Sequence, residues 1–149
     1  MGLIYIRKQI NMLYVPKHFI AQEFVPESVY KDRGDKALQL IDPRLLRACD
    51  AMREVFGPCK INSWHWGGSY DQSGLRTPES KYYSPYSQHS FGRAADCKFK
   101  DISAEEVRIY ILANPGKFED VTFLELDTPT WVHVDVRNCK RIVTWSPNT

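Results

Sequence analysis

Residues 131–137 read WVHVDVR, and that alternation constrains the fold more than any other stretch of the chain. Successive side chains of a strand point to opposite faces, so Val132, Val134 and Val136 share one face. Trp131, His133, Asp135 and Arg137 share the other. The valine face is core. A face of histidine, aspartate and arginine cannot pack as ordinary interior, because buried ionisable groups need partners. The pattern predicts a sheet with one side against a core and the other lining a polar cleft.

The remainder of the chain is large enough to supply that core. Its 149 residues suit a single domain, residues 1–149 with a core of about 18–143. Hydrophobic residues make up 43% and charged residues 26%, a globular balance. In IDPRLLRACDAMREVFG, Asp42 is placed to cap a helix, Pro43 fits its first position and Gly57 its end. Leu45, Leu46, Cys49, Met52 and Phe56 form its buried stripe. A second helix opens on the capping box Ser103-Ala104-Glu105-Glu106 and stops near Asn114-Pro115-Gly116, with Val107, Tyr110 and Ile111 inward. Strands are expected at KINSW, AADCKF, VTFLEL, TWVHVDVR and RIVTW. The fold class is therefore α+β, a mainly antiparallel sheet flanked by helices.

Charge excludes some partners. A net charge of +2 and the absence of any lysine-arginine run argue against nucleic acid and leave only weak attraction to an anionic polymer such as a cell wall. No segment reaches the length of a transmembrane helix, so no membrane partner is expected. The start, MGLIYIRKQINMLYVP, is broken by Arg7, Lys8 and Gln9 and lacks a signal-peptide pattern, and Ile6 does not fit the myristoylation pattern. The expectation is synthesis in the cytoplasm without a signal peptide, with Met12 an alternative start. Cys49, Cys59, Cys97 and Cys139 form no CxxC pair and are expected reduced and mostly buried. His18 is expected to be structural, Arg33-Gly34-Asp35 is discounted as a chance tripeptide, and oligomeric state leaves no signature.

The chemistry sits in SQHSFGRAADCKF and the long irregular stretch before it. Residues 65–93 form a connection too long to be idle in a compact domain, rich in Tyr, Ser and Gly, which delivers His89 directly before a strand. Gly92 lets the backbone turn tightly enough for Asp96 to point back, with Ala94 and Lys98 on its face. If His89, Asp96 and His133 converge, two imidazoles and a carboxylate form a three-ligand set with a fourth tetrahedral position left over, as catalytic zinc requires. Taken singly, each reads better as a separately satisfied polar residue.

Ser87-x-His89-x-x-Gly92-x-Ala94-x-Asp96, followed by Trp131-x-His133-x-Asp135, resembles the zinc peptidases of the D-Ala-D-Ala carboxypeptidase and L-alanyl-D-glutamate endopeptidase family. That peptidase M15-like group includes many phage endolysins and shares its scaffold with the hedgehog signalling domain. Looser likeness runs from about His18 to Val143, closest to small phage-encoded members. The resemblance implies a hedgehog/DD-peptidase-like fold, one Zn2+ held by His89, Asp96 and His133, and peptidoglycan stem peptides as substrate. It implies action at the cell wall, reached through lysis or on a virion. Arg76 matches the arginine that meets the substrate carboxylate or oxyanion, against the alternative of a solvated loop cation. Ser87 is expected to shape the loop beside the substrate, with Tyr86 and His65 lining the cleft, although His65 also suits a packed role. Asp135 either orients a ligand histidine or pairs with Arg137.

The departure concerns the general base. Many members carry glutamate three residues before the last histidine, and here that residue is Thr130. Glu125 and Asp127 are the available replacements, with Glu125 favoured. Thr130 also leaves open a catalytically inactive zinc-containing virion module on the same fold; a carboxypeptidase acting on something other than cell wall is a third option.

Overall fold

The computed structural model describes residues 14–147, and the readings that concern Met12 and the residues before it lie outside them. The described residues form one small α+β domain with three α-helices and a five-stranded sheet. Helix α1 spans Glu27–Arg33, α2 Pro43–Phe56 and α3 Ala104–Ala113. The strands are β1 Cys59–Lys60, β2 Ala94–Phe99, β3 Phe123–Glu125, β4 Val132–Asp135 and β5 Val143–Trp145.

Both helices expected from their caps form at the expected places. Asp42 accepts the Arg44 amide at 2.9 Å at the start of α2, and Gly57 closes it at a φ of 84°. Ser103 and Glu106 close a reciprocal capping box on α3, which satisfies amides that the helix itself leaves open. Helix α1, with no comparable apolar stripe, was not foreseen. It ends at Gly34, so Arg33-Gly34-Asp35 is the exit of a helix.

Strand order is β1-β2-β4-β3-β5. Three pairings are antiparallel and β5 runs parallel to β3, so the sheet is mixed and, as expected, mainly antiparallel. Strand β1 is also shorter than KINSW suggests. After Lys60 the chain leaves the ladder because Asn62 and Ser63 find other partners. The Asn62 side chain donates to the Val25 carbonyl at 3.1 Å and accepts the Ser73 amide at 2.8 Å, and the Ser63 amide bonds to the Tyr70 carbonyl. The long connection then occupies the vacated place beside β2, with the Asp96 amide on the Ser73 carbonyl at 2.8 Å.

Register sorts the two faces as the alternation requires. Ala95 opposes Val134, Cys97 opposes Val132 and Leu124 opposes Val134, and all five are fully buried against the helices. Ala94, Asp96, His133, Asp135, Phe123 and Glu125 lie on the other face. Cys49, Cys59 and Cys97 are buried free thiols. His18 is structural, its amide on Asp50 and its ring 3.3 Å from Glu54.

Gly92 is the hinge that turns the long connection into β2. Its φ is 66°, and a Cβ there would run into the Leu40 carbonyl. Gly92→Ala meets a conformational penalty and a backbone clash together, so chemical denaturation should register a loss of about 2 kcal/mol or more. A loss below about half a kcal/mol would show that the turn is not held as described.

Candidate metal centre

Asp96 lies directly opposite His133 across the β2–β4 pair, which brings the two side chains together with no contribution from loops. His89 arrives separately, on a 3-10 turn over Gln88–Phe91 whose first free amide, that of His89, is accepted by the Ser87 hydroxyl at 3.3 Å. Asp96 Oδ1 is 3.4 Å from His89 Nε2 and 3.1 Å from His133 Nδ1, and the three ligand atoms all lie within 4.8 Å of one another. The convergence expected from sequence is present, and the group can hold a metal ion.

The surroundings fix which atoms face the centre. His89 Nδ1 donates to the Gly74 carbonyl at 2.8 Å, leaving Nε2 to face Asp96. His133 is turned the opposite way: Nε2 bonds Asp135 Oδ2 at 3.0 Å and Nδ1 faces Asp96. Asp96 Oδ2 accepts from the Arg76 guanidinium at 3.1 Å, which leaves Oδ1 as the common corner. Each prospective ligand is thus oriented by a partner on its far side, the arrangement that gives metal-binding histidines a single tautomer and raises their basicity. The two readings of Asp135 hold at once. It is fully buried, it orients His133, and Arg137 grips it through Nε at 2.8 Å and its terminal nitrogen at 2.6 Å.

Protonation follows from this geometry. Burial alone would lower the His133 pKa, but carboxylates at both ring nitrogens outweigh burial and push it up to about 9. Burial likewise works to raise Asp96, and the bonds from His133 and His89 overcome it, holding the carboxyl well below the usual carboxylate range. A cation at Nδ1 must therefore displace a proton from His133.

Two clefts flank the cluster. One, of about 670 Å³, is lined by Arg76, Asp96, Lys98, Tyr82, Thr130 and Trp131 among others. Arg76 is no solvated loop cation: its side chain is 19% exposed, tied to the Gln72 carbonyl at 2.8 Å as well as to Asp96. The other, of about 420 Å³, is lined by His133, Glu125, Ser87, Tyr86, Phe123 and Trp145 among others. Glu125 is half-buried there. Phe123 opposes Asp135 and Leu124 opposes Val134, and Glu125, the next residue of β3, shares this cleft with His133. Asp96, His133 and Glu125 thus form one row across three strands, on one face.

Asp127 is placed differently. It lies past the end of β3 with a φ of 66°, its carboxylate engaged by the Ser146 hydroxyl, and it lines neither cleft. The turn at Thr128-Pro129 does not carry it over the centre. Tyr86 is exposed at the rim of the Glu125 cleft, and Ser87 combines its capping role with a place in that lining. His65 takes the packed alternative: its ring lies between Trp64 and Trp66, centroids 5.5 and 4.1 Å away, and lines neither cleft. What sequence reasoning missed is the Gly74 carbonyl. A backbone acceptor has no residue signature, and only the fold brings it to His89.

Comparison with protein-family models, curated proteins and solved structures finds no match for this chain. Among the described residues no helix is long and apolar enough to cross a membrane.

Proposed function

We propose that the chain is a zinc-dependent peptidase of hedgehog/DD-peptidase type that hydrolyses peptidoglycan stem peptides, as a phage endolysin or virion-associated enzyme. The observation that carries this reading is the row Asp96–His133–Glu125, which sets a half-buried carboxylate beside a two-histidine, one-aspartate ligand set. Two nitrogens and one oxygen suit Zn2+ and leave a coordination position for substrate. Bound there, the ion supplies a Lewis acid for the scissile carbonyl.

The remaining work falls to the chain's own side chains. Glu125 takes a proton from the attacking water as the O–C bond forms, and returns it to the leaving amine as the C–N bond breaks. Arg76, with Nε on the Gln72 carbonyl and one terminal nitrogen on Asp96, presents the remaining N–H groups of its guanidinium to a substrate carboxylate in the larger cleft. Asp135 and the Gly74 carbonyl keep both imidazoles from rotating. The test is release of new amino termini from purified peptidoglycan by the zinc-loaded protein, abolished by chelation and restored by zinc.

The second reading, a metal-containing module that hydrolyses nothing, rests on Thr130. It is exposed in the lining of the Arg76 cleft, at the position where the resembling family has its glutamate, and it cannot accept a proton. One zinc per chain with no amino termini released from any wall type would favour it.

Zinc binding itself should depend on pH with a definite sign. Below pH 9 a proton must leave His133 for each ion bound, so affinity rises about tenfold per pH unit and levels off above about 9. In protein stripped of metal the sign reverses. Its folded-state pKa lies above the ordinary 6.5, so this stabilisation is full below about 6.5 and is lost as pH rises through 9. Competition titrations with a chromophoric chelator, and melting curves of stripped protein, read the two slopes. A zinc affinity flat from pH 6.5 to 9 would contradict the double carboxylate contact.

A further inference from the structure

We propose that the groove lined by Arg53, Lys60, Trp66, Tyr70, Phe99 and Lys100 is a second binding site, which holds an anionic saccharide strand running on from the metal cleft. The inference rests on the peptidoglycan reading above. The groove measures about 540 Å³, and its lining contains four cationic residues, counting Lys98, and no acidic one. In a chain of net charge +2 that is a local concentration of charge. Tyr70 and Lys98 line both this groove and the Arg76 cleft, so the two form one track.

The fold does not require this arrangement. Lys60 stands directly opposite Lys98 across the β1–β2 pair, and like charges in that relation are destabilising. A lysine on an edge strand deters unwanted pairing, which accounts for Lys60 alone. It does not account for the aromatic rings. Trp66 is 59% exposed and Tyr70 45%, beside the cations. The Trp66 indole is backed by the His65 ring at 4.1 Å, and the Tyr70 ring carries the Lys98 ammonium at 4.0 Å. Lys98 is itself pinned to the Ile61 carbonyl at 2.7 Å and the Ser73 hydroxyl at 2.6 Å. Aromatic faces held in place between cations offer stacking surface for sugar rings and charge for the groups those sugars carry. Asp71 and Asp96 lie further along the track, where they repel a uniform polyphosphate but tolerate a strand whose charges are spaced by neutral sugars.

The experiment is co-sedimentation with purified sacculi, in parallel with double-stranded DNA, using the wild-type chain and the variant Lys60→Glu/Trp66→Ala/Lys100→Glu. None of those three residues belongs to the metal site. The variant is expected to bind sacculi about tenfold or more weakly. It should still cut a short soluble stem peptide at the wild-type rate. Sacculi stripped of phosphate polymers should bind as well as intact walls if the carboxylates of the peptide-bearing glycan are the anions. Binding only to unstripped walls assigns the groove to a phosphate-bearing saccharide instead, still within the proposal. Undiminished sedimentation of the variant overturns the inference, as does DNA binding as tight as sacculus binding. If the variant fails to fold, Lys60→Gln/Lys100→Gln replaces it, and its binding must be both weaker and less sensitive to salt than the wild type's. Loss of sedimentation in the variant with no hydrolysis by the wild type would sink the peptidase reading and leave the groove standing.

Discussion

Glu125→Gln should leave one zinc per chain and lower the release of amino termini by about a thousandfold, within the range that a positioned general base contributes. The amide keeps the volume and polarity of the side chain but cannot take a proton at neutral pH. Because Glu125 lines one cleft with His133 and none of the ligand-orienting contacts passes through it, the variant separates chemistry from metal binding. Asp127→Asn is the matched control. Its carboxylate is committed to Ser146 beyond the end of β3, so it should change activity less than about threefold. Amino-terminus release and metal content, measured on both variants, read the two effects side by side. If Asp127→Asn showed the larger loss, the base would lie at the turn and the row across the sheet would have no catalytic meaning.

That row was partly legible in the sequence, and the reason lies in which interactions are local. Alternation in WVHVDVR places His133 and Asp135 on a face apart from the valines, and the tertiary structure keeps that assignment because slipping by one residue would bury the wrong set. The Asp42 cap of α2 and the capping box of α3 are equally local, and both helices begin where their caps stand. Strand pairing is not local. Nothing in FLEL or IVTW records that β5 lies parallel to β3, since the chain between them holds another strand of the same sheet. The early end of β1 was hidden for a similar reason: Asn62 and Ser63 are pulled from the ladder by the distant Val25 and by Ser73 and Tyr70 of the irregular connection. The spacing of His89 and Asp96 suggested a shared ligand set, yet their orientation depends on Gly74 and Arg76, which are set by the path of the long connection.

Asp96→Asn should have the larger effect on the metal. The substitution preserves shape, so its consequences come from the lost charge. Asp96 Oδ1 is the corner shared by His89 and His133, and Oδ2 receives Arg76. An amide oriented towards Arg76 through its oxygen turns its NH2 towards the two imidazole nitrogens, where a ligand lone pair is needed. Loss of a direct ligand must exceed the tenfold to hundredfold that changes in orienting partners typically cost, so zinc should fall from one per chain to near zero after dialysis. The stripped protein should also weaken. His133 and Arg76 would keep their burial and lose a countercharge, at a cost on the order of 3 kcal/mol, or about 10 °C in melting temperature for a chain of this size. Chelator provides the internal control: it should lower the melting temperature of the wild type and leave Asp96→Asn unmoved. Asp135→Asn, which spares every direct ligand, should retain zinc with affinity reduced about tenfold to a hundredfold. A full complement of zinc in Asp96→Asn would mean that the ion is held elsewhere, because no arrangement of the two imidazoles alone reproduces the corner that Asp96 supplies.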